Sequence, residues 1–220
     1  ISEQLYKYGF GQKTYLDLYG EKAGLVPDRQ WKSKTKALPW YPGETLNVGI
    51  GQGYFLATPM QLTLATASLA NDGNTYTPHL LLGDKNNKTN EVSVYNYENN
   101  KFYTAMKDPH HLHIVKNAMW RVVNEKRVGT ASHLKKVKNI EYAGKTGTAQ
   151  VYNLDKGKTG TKSLQDHALF ISYAPFESPE IVVTVVVENG GGGSTTAAPI
   201  ARDIIEYYMD KKPTSVSMHE

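Results

Sequence analysis

The chain has 220 residues, enough to bury a substantial core, and its 40% hydrophobic and 21% charged residues are typical of a globular protein rather than a disordered one. Its 25 basic and 21 acidic side chains are interspersed and give a formal charge of only +4, which argues against a nucleic-acid-binding protein. Because the chain contains no cysteine, a disulfide framework and a thiolate metal site are excluded.

Residues 1–53 are rich in glycine and proline, with Gly9, Gly24, Pro39 and Gly43 among them. These residues interrupt every long element that could be drawn there, so we expect little regular structure in this part. The chain begins with isoleucine rather than methionine, and no targeting signal is visible after it. We therefore expect the true N-terminus of the protein to lie upstream.

Two helices are predicted in the next part of the chain. The first begins at Thr58-Pro59-Met60-Gln61, a capping box with a proline in the first turn, and Asn71-Asp72-Gly73 ends it. The second begins at Asp108-Pro109 and ends near Gly129, because apolar residues recur at helical spacing between these points. Between the helices, residues 84–106 carry a short alternating segment among asparagines and predict a surface hairpin.

The pattern changes to that of β-structure from Ile140 onwards. Residues 140–152, 167–173 and 181–188 predict three successive antiparallel strands, and turn residues separate the last two. The apolar run Ile181–Val187 has seven residues, about a third of the length that a membrane-spanning helix needs, so it is interpreted as a strand.

A closing helix is predicted after the glycines at 190–193. Its apolar residues Ile200, Ile204 and Tyr208 recur on one face. The sequence therefore predicts, in chain order, helices, three strands and a final helix.

The tripeptide Lys-Thr-Gly occurs twice, as Lys145-Thr146-Gly147 and as Lys158-Thr159-Gly160. The first copy lies inside a predicted strand, with small residues on both sides of the lysine. The second lies in a polar loop that contains glycine and has no β pattern. Context therefore favours the first copy as the functional one.

A Lys-Thr-Gly strand suits an acyl-transfer site. Gly147 removes side-chain bulk where a substrate backbone would lie alongside, and Lys145 supplies positive charge for a carboxylate. The hydroxyls of Thr146 and Thr148 can donate to the same carboxylate, and the backbone N–H of Thr148 can point at a developing oxyanion. By itself so short a motif also occurs by chance, so its neighbours must decide.

Two other chemistries can be weighed against this one. A phosphate-binding loop needs a glycine five residues before the Gly-Lys pair, where the two copies have Asn139 and Tyr152, so nucleotide binding is rejected. His110, His111 and His113 could suggest a metal site, but with no cysteine and only Asp108 nearby they are interpreted as solvated histidines of a first helical turn.

Four segments in a fixed order extend the pattern: Leu46–Tyr54, Ala57–Gln61, Ala143–Gln150 and Glu188–Gly191. Together they resemble the class B penicillin-binding transpeptidases, and most of all the branch that acts in elongation of rod-shaped bacteria. The resemblance covers nearly all of residues 5–210. It implies an α+β, penicillin-binding/serine β-lactamase-like transpeptidase fold, with a five-stranded antiparallel sheet flanked by helices.

The resemblance also implies a function, that of a peptidoglycan D,D-transpeptidase which works through an acyl-serine and is a target of β-lactams. It implies Lys145 and Thr148 as catalytic residues, and Thr146, Gly147, Thr148 and Gln150 as substrate-binding residues. Neither a metal nor an organic cofactor is called for. A noncatalytic sensor module of the same fold that binds β-lactams or peptides is the alternative.

Partners and location follow from the same resemblance. The implied partners are the peptidoglycan stem peptide ending in D-Ala-D-Ala, β-lactam antibiotics and the membrane glycosyltransferase of the elongation machinery, with no nucleic acid. The implied location is the bacterial inner membrane, with the catalytic domain in the periplasm. We expect residues 1–212 to form the C-terminal portion of one transpeptidase domain, with 84–106 as a surface excursion and 213–220 as a tail.

Two elements of such a site, Ser-x-x-Lys and Ser-x-Asn, are not securely present. Ser33 and Ser132 begin formal Ser-x-x-Lys matches, but Ser33 lies in a run of solvated charge that is followed by Pro39, through which a helix cannot continue. Ser132 lies in a polar connection after a helix end. No Ser-x-Asn occurs in the sequence, so we expect the nucleophilic serine upstream of residue 1 and this chain alone to be inactive.

Overall fold

The computed structural model divides the chain into two compact units, Ile1–Leu112 and His113–Glu220. For residues 101–104 the structure describes the backbone but not the side chains. Within the described part of the chain, no helix is both long and apolar enough to cross a membrane. The described residues are 1–95, 101–104, 108–137, 140–150 and 165–211.

The described residues of the first unit form four helices and two pairs of short strands. Strand β1 (Asn74–Tyr76) pairs antiparallel with β4 (Lys101–Thr104), and β2 (Gly83–Lys85) pairs antiparallel with β3 (Val92–Val94). The helices α1, α2, α3 and α4 span Ser2–Lys7, Arg29–Lys36, Pro42–Gly49 and Pro59–Ala70.

Helix α4 begins with the predicted capping box. The Thr58 hydroxyl accepts from the Gln61 amide at 3.1 Å, and the Gln61 side chain accepts from the Thr58 amide at 2.9 Å. Gln61 is fully buried, and its side-chain nitrogen donates to the carbonyl oxygens of Gln12 and Ala23, each at 2.7 Å. The same residue therefore caps the helix and fastens the preceding loop to it.

The prediction of little regular structure in residues 1–53 is wrong, because α1, α2 and α3 lie there. The glycine and proline residues lie at or near the ends of these helices, so they do not prevent helix formation between them. Asp28 caps α2 by accepting from the Trp31 amide at 2.7 Å, and Pro42 occupies the first turn of α3. Since α2 ends at Lys36, the proline at position 39 does not interrupt it.

Lys32 shows why a helix forms in this run of charge. Its side chain is only 3% exposed, so the prediction of a solvated run is wrong at this position. Its ammonium donates to both carboxylate oxygens of Glu44, at 2.5 and 2.6 Å, and lies 4.3 Å from the centroid of the Tyr41 ring. The Glu44 carboxylate also accepts from the Tyr41 amide at 2.8 Å, so one carboxylate joins α2 to the start of α3.

The hydrogen bond from Lys32, and after it the one from the Tyr41 amide, hold the pKa of Glu44 below its ordinary value. A lowered pKa in the folded state means that the carboxylate stabilises the fold above the ordinary carboxyl pKa. This stabilisation is lost as the pH falls through the lowered value. Replacing Glu44 with glutamine should therefore lower the melting temperature at neutral pH and have little effect in strong acid.

Thermal denaturation of the wild type and of Glu44→Gln across this pH range measures the effect. Glu3→Gln, at an exposed position of α1, is the control and should melt like the wild type throughout. A gap between wild type and Glu44→Gln that stays constant from neutral to strongly acidic pH would contradict the role of the Lys32–Glu44 pair.

The second unit is built on one antiparallel sheet with the order β5-β6-β7. The strands are β5 (Ala143–Ala149), β6 (His167–Ala174) and β7 (Ile181–Val187), and all three were predicted. With the helices they give the expected α+β class. The described residues contribute three strands to this sheet, where the resemblance implies five.

Two helices complete the described part of the second unit. Helix α5 (Pro109–Asn124) begins at the predicted position, where the Asp108 carboxylate accepts from the His110 amide at 2.9 Å, and ends ahead of Gly129. One turn of π-helix (Gly193–Ala197) leads into α6 (Ala198–Lys211). The core of this unit includes residues from the sheet and from α6, among them Phe170, Val183, Val185, Ala198, Ala201 and Ile205.

The apolar face predicted for the closing helix is not the face that the structure buries. Ile200, Ile204 and Tyr208 are 43%, 42% and 38% exposed, whereas Ala201 and Ile205 are fully buried. The buried face is thus rotated by one residue. Small side chains such as Ala201 allow α6 to approach the sheet closely, and this packing outweighs the apolar periodicity.

Candidate active site

The Lys-Thr-Gly strand β5 is fastened at its start to helix α5. The Trp120 indole donates to the Glu141 carboxylate, and the Asn124 side chain donates to the Tyr142 carbonyl, each at 2.9 Å. Tyr142 is buried, and this burial raises the pKa of its hydroxyl to about 12. The first residues of the motif segment are therefore anchored to a helix and to the core.

The backbone of Gly193 packs closely against the middle of β5. A Cβ built on Gly193 would lie 2.4 Å from the carbonyl oxygen of Leu169 and 2.5 Å from that of Gly147. Leu169 and Gly147 are partners across β6 and β5. The π-helical turn therefore sits directly on the strand pair at the glycine of the motif, and it can do so only because residue 193 has no side chain.

Gly193→Ala should lower the free energy of unfolding by about 2–3 kcal/mol, because the added methyl group overpacks a backbone contact that cannot relax. The control is Gly43→Ala in α3, where a Cβ meets nothing within 4 Å; it should not lower the free energy of unfolding, and the higher helix propensity of alanine should raise it slightly. Urea denaturation of both variants checks this. Equal stability of Gly193→Ala and wild type would show that the turn does not press on the strand.

The predicted site residues of β5, and Gln150 directly after it, lie at the surface. Lys145, Thr148 and Gln150 are exposed, and Thr146 and Gly147 are half-buried. The Lys145 ammonium donates to the carbonyl oxygen of Thr146 at 2.6 Å and lies 3.5 Å from the Thr146 hydroxyl oxygen. The structure thus brings an ammonium and a hydroxyl together outside the core.

Among the described strands β5 pairs with β6 alone, so its other edge pairs with no described strand. Because the Lys145 ammonium donates to the Thr146 carbonyl, we infer that the backbone groups of Thr146 lie on this edge. In an antiparallel strand the N–H and C=O of one residue point to the same side, and the side alternates along the chain. The same alternation places the backbone N–H of Thr148 on the same edge as that of Thr146.

Thr130 also belongs to this cluster, although sequence reasoning did not identify it. Its hydroxyl oxygen lies 3.2 Å from that of Thr146, within hydrogen-bonding distance. The sequence offers only a run of small residues, Gly129-Thr130-Ala131, as a signal. The contact depends on tertiary structure, since it joins the segment after α5 to the middle of β5.

Neither formal Ser-x-x-Lys match has the surroundings expected of the nucleophile. Ser33 is exposed in the middle of α2 rather than at the start of a buried helix, and α2 ends before Pro39 as expected. The Ser132 hydroxyl donates to the Gly129 carbonyl at 2.7 Å, within a turn. The second Lys-Thr-Gly, at 158–160, lies outside the described residues.

The histidines have local contacts of other kinds. His111 lies 3.6 Å from the Asp108 carboxylate at the start of α5, and both side chains are exposed. His167 accepts from the Asn189 amide at 2.9 Å, which ties the start of β6 to the end of β7. Within the part of the chain that the structure describes, no three potential metal ligands among His, Asp and Glu come together.

The family model for the penicillin-binding protein transpeptidase domain matches residues 1–206. The chain belongs to this transpeptidase family. It is 40% identical over 227 residues to the peptidoglycan D,D-transpeptidase MrdA of Haemophilus influenzae, an alignment that covers 100% of this chain and 34% of that protein. The chain spans about a third of the length of the curated relatives it matches.

Solved structures show the same fold. The crystal structure of Pseudomonas aeruginosa PBP2 in complex with WCK 5153 matches with a TM-score of 0.77 and 40% identity, over 96% of this chain and 44% of that one. The complex between PBP2 and MreC from Helicobacter pylori matches with a TM-score of 0.76 and 33% identity, over 96% of this chain and 36% of that one. The predicted family and fold are thereby confirmed.

Proposed function

We propose that this transpeptidase domain belongs to a peptidoglycan D,D-transpeptidase that β-lactams inhibit, and that the described strand β5 is the carboxylate-binding side of its active site. The observation that carries the proposal is that the ammonium of the exposed Lys145 lies 3.5 Å from the hydroxyl of the half-buried Thr146, beside a strand edge that pairs with no described strand. An ammonium and hydroxyl donors together suit a carboxylate ligand. Both a D-Ala-D-Ala peptide and a penicillin present a carboxylate close to the carbonyl that is attacked.

In the proposed reaction a serine oxygen attacks the carbonyl of the penultimate D-Ala and forms an acyl-serine, while the C–N bond breaks and D-Ala leaves with a proton on its nitrogen. An amine of a neighbouring stem peptide then attacks the acyl-serine carbonyl, and the C–O bond to the serine breaks as the cross-linking amide forms. One proton of the attacking amine passes to the serine oxygen. Lys145 contributes positive charge, and the hydroxyls of Thr146 and Thr148 bind the terminal carboxylate. The Thr148 N–H donates to the oxyanion, with Gly147 leaving room for the peptide and Gln150 extending the binding strand.

The nucleophilic serine is proposed to lie outside these 220 residues. The exposed position of Ser33 within α2 and the bond from the Ser132 hydroxyl to the Gly129 carbonyl favour this, as does the absence of a Ser-x-Asn sequence. On this view the chain is catalytically inactive alone. A stable penicillin adduct on Ser33 or Ser132, located by peptide mass spectrometry, would contradict it.

Several broader assignments belong to the same proposal. The intact protein is assigned to the inner membrane with its catalytic domain in the periplasm, and its proposed partner is the membrane glycosyltransferase of the elongation machinery. The Helicobacter pylori PBP2 that this chain resembles forms a complex with MreC, which supports the assembly of this protein with a partner protein. Residues 1–212 are proposed to form the C-terminal portion of one domain, and the reaction as written needs no metal or organic cofactor.

Lys145→Met in the full-length protein should lower the second-order rate constant of acylation by a labelled penicillin about a hundredfold, because a charged donor to the carboxylate is lost while the aliphatic stem remains. Gel fluorescence at a series of penicillin concentrations measures the rate constant. Lys126→Met, at an exposed position of the same unit, is the matched control and should be acylated by the labelled penicillin at the wild-type rate.

Equal acylation of Lys145→Met and wild type would overturn the proposed site. Release of D-Ala from a stem peptide separates the proposed enzyme from a sensor of the same fold, since a sensor would acylate without turnover. D-Ala release by the wild-type protein at a steady rate is the expected result.

A further inference from the structure

We infer that Thr130 is a positioning residue, whose hydroxyl orients the hydroxyl of Thr146 toward the carboxylate of the substrate. The inference rests on the proposed function of β5 and adds to it a residue outside the Lys-Thr-Gly motif. The observation behind it is the 3.2 Å separation of the two hydroxyl oxygens, and the side chains of Thr130 and Lys145 are both exposed.

The direction of the hydrogen bond follows from what a hydroxyl can do. A threonine hydroxyl has one hydrogen to donate and two lone pairs with which to accept. If Thr146 donates its hydrogen to a carboxylate, its oxygen can only accept from the protein. The Thr130 hydroxyl must then be the donor, and it keeps the Thr146 hydrogen directed at the ligand.

Lys145 alone does not fill this role. Its ammonium donates to the Thr146 carbonyl at 2.6 Å and reaches the Thr146 hydroxyl only at 3.5 Å, the limit of a hydrogen bond. The shorter contact to the Thr146 hydroxyl is the one from Thr130. When the Thr130 hydroxyl and the Lys145 ammonium both approach the Thr146 hydroxyl oxygen, only the Thr146 hydroxyl hydrogen is left to bind a ligand.

The turn that carries Thr130 is held firmly against the end of α5. A Cβ on Gly129 would lie 2.4 Å from the carbonyl oxygens of both Arg121 and Val122, so the backbone packs directly on the helix. The Ala131 amide donates to the Val122 carbonyl at 2.9 Å, and the Ala131 side chain is fully buried. Thr130 is thus an exposed side chain on a fixed backbone, the arrangement that positioning a partner requires.

The test compares two probes on the full-length protein: a labelled penicillin with its free carboxylate, and the methyl ester of the same penicillin. Thr130→Val should lower the acylation rate constant of the free acid about tenfold, the effect of one hydrogen bond in a charged site, and leave that of the ester unchanged. Thr130→Ser keeps the hydroxyl and should restore the rate to within about threefold of wild type. The ratio of the two probes reports carboxylate recognition independently of overall stability.

Ser132→Ala is the matched control, because Ser132 lies in the same turn but its hydroxyl donates to the Gly129 carbonyl instead of approaching Thr146. Both probes should acylate this variant with the wild-type rate constants, whatever its melting temperature. The double variant Thr130→Val/Thr146→Val should be no slower than Thr146→Val alone, because Thr130 acts through Thr146.

The outcomes separate the inference from the function on which it rests. If the wild-type protein is not acylated by the free acid, the proposed function fails and the inference fails with it. If Thr146→Val is slow but Thr130→Val matches wild type, the inference alone is overturned. Equal slowing of both probes by Thr130→Val, or additive effects in the double variant, would overturn it in favour of a structural role for the hydroxyl.

Discussion

The functional interpretation depends on the antiparallel pairing of β5 with β6, which runs from Ala143↔Tyr173 to Ala149↔His167. This ladder fixes which backbone groups of β5 bond to β6 and which face the opposite edge of the strand. A shift by one residue would exchange them, and would also exchange the faces on which Thr146 and Lys145 lie. The chemistry of the motif is therefore a consequence of register.

Several contacts make that register hard to change. A side chain at Gly144 would come within 2.5 Å of the Phe170 ring, and one at Gly193 within 2.5 Å of the Gly147 carbonyl, so both positions accept only glycine without rearrangement. The bonds from α5 to the residues before Ala143 fix the strand along its axis. Thr130, in the segment after α5, contacts Thr146 of the same strand. Helix α5 therefore determines the position of β5 and also that of Thr130, the hydroxyl partner of Thr146.

Sequence reasoning succeeded where the signal was local. The capping box at Thr58 and the three strands all depend on neighbouring residues. It failed where the deciding partner is distant or depends on packing. Lys32 is buried because of Glu44, twelve residues away, and Thr130 matters because of Thr146, sixteen residues away. The face of α6 was mistaken because close packing of Ala201 outweighs the apolar periodicity of Ile200 and Ile204.

The most direct test of the central claim is a crystal structure of the full-length protein acylated by a penicillin. The account predicts that the penicillin carboxylate accepts hydrogen bonds from the hydroxyls of Thr146 and Thr148, at about 2.7 Å each, with the Lys145 ammonium beside it. It also predicts that the carbonyl oxygen of the acyl group accepts from the Thr148 N–H. An acyl-enzyme whose carboxylate turns away from β5 and binds elsewhere would contradict it.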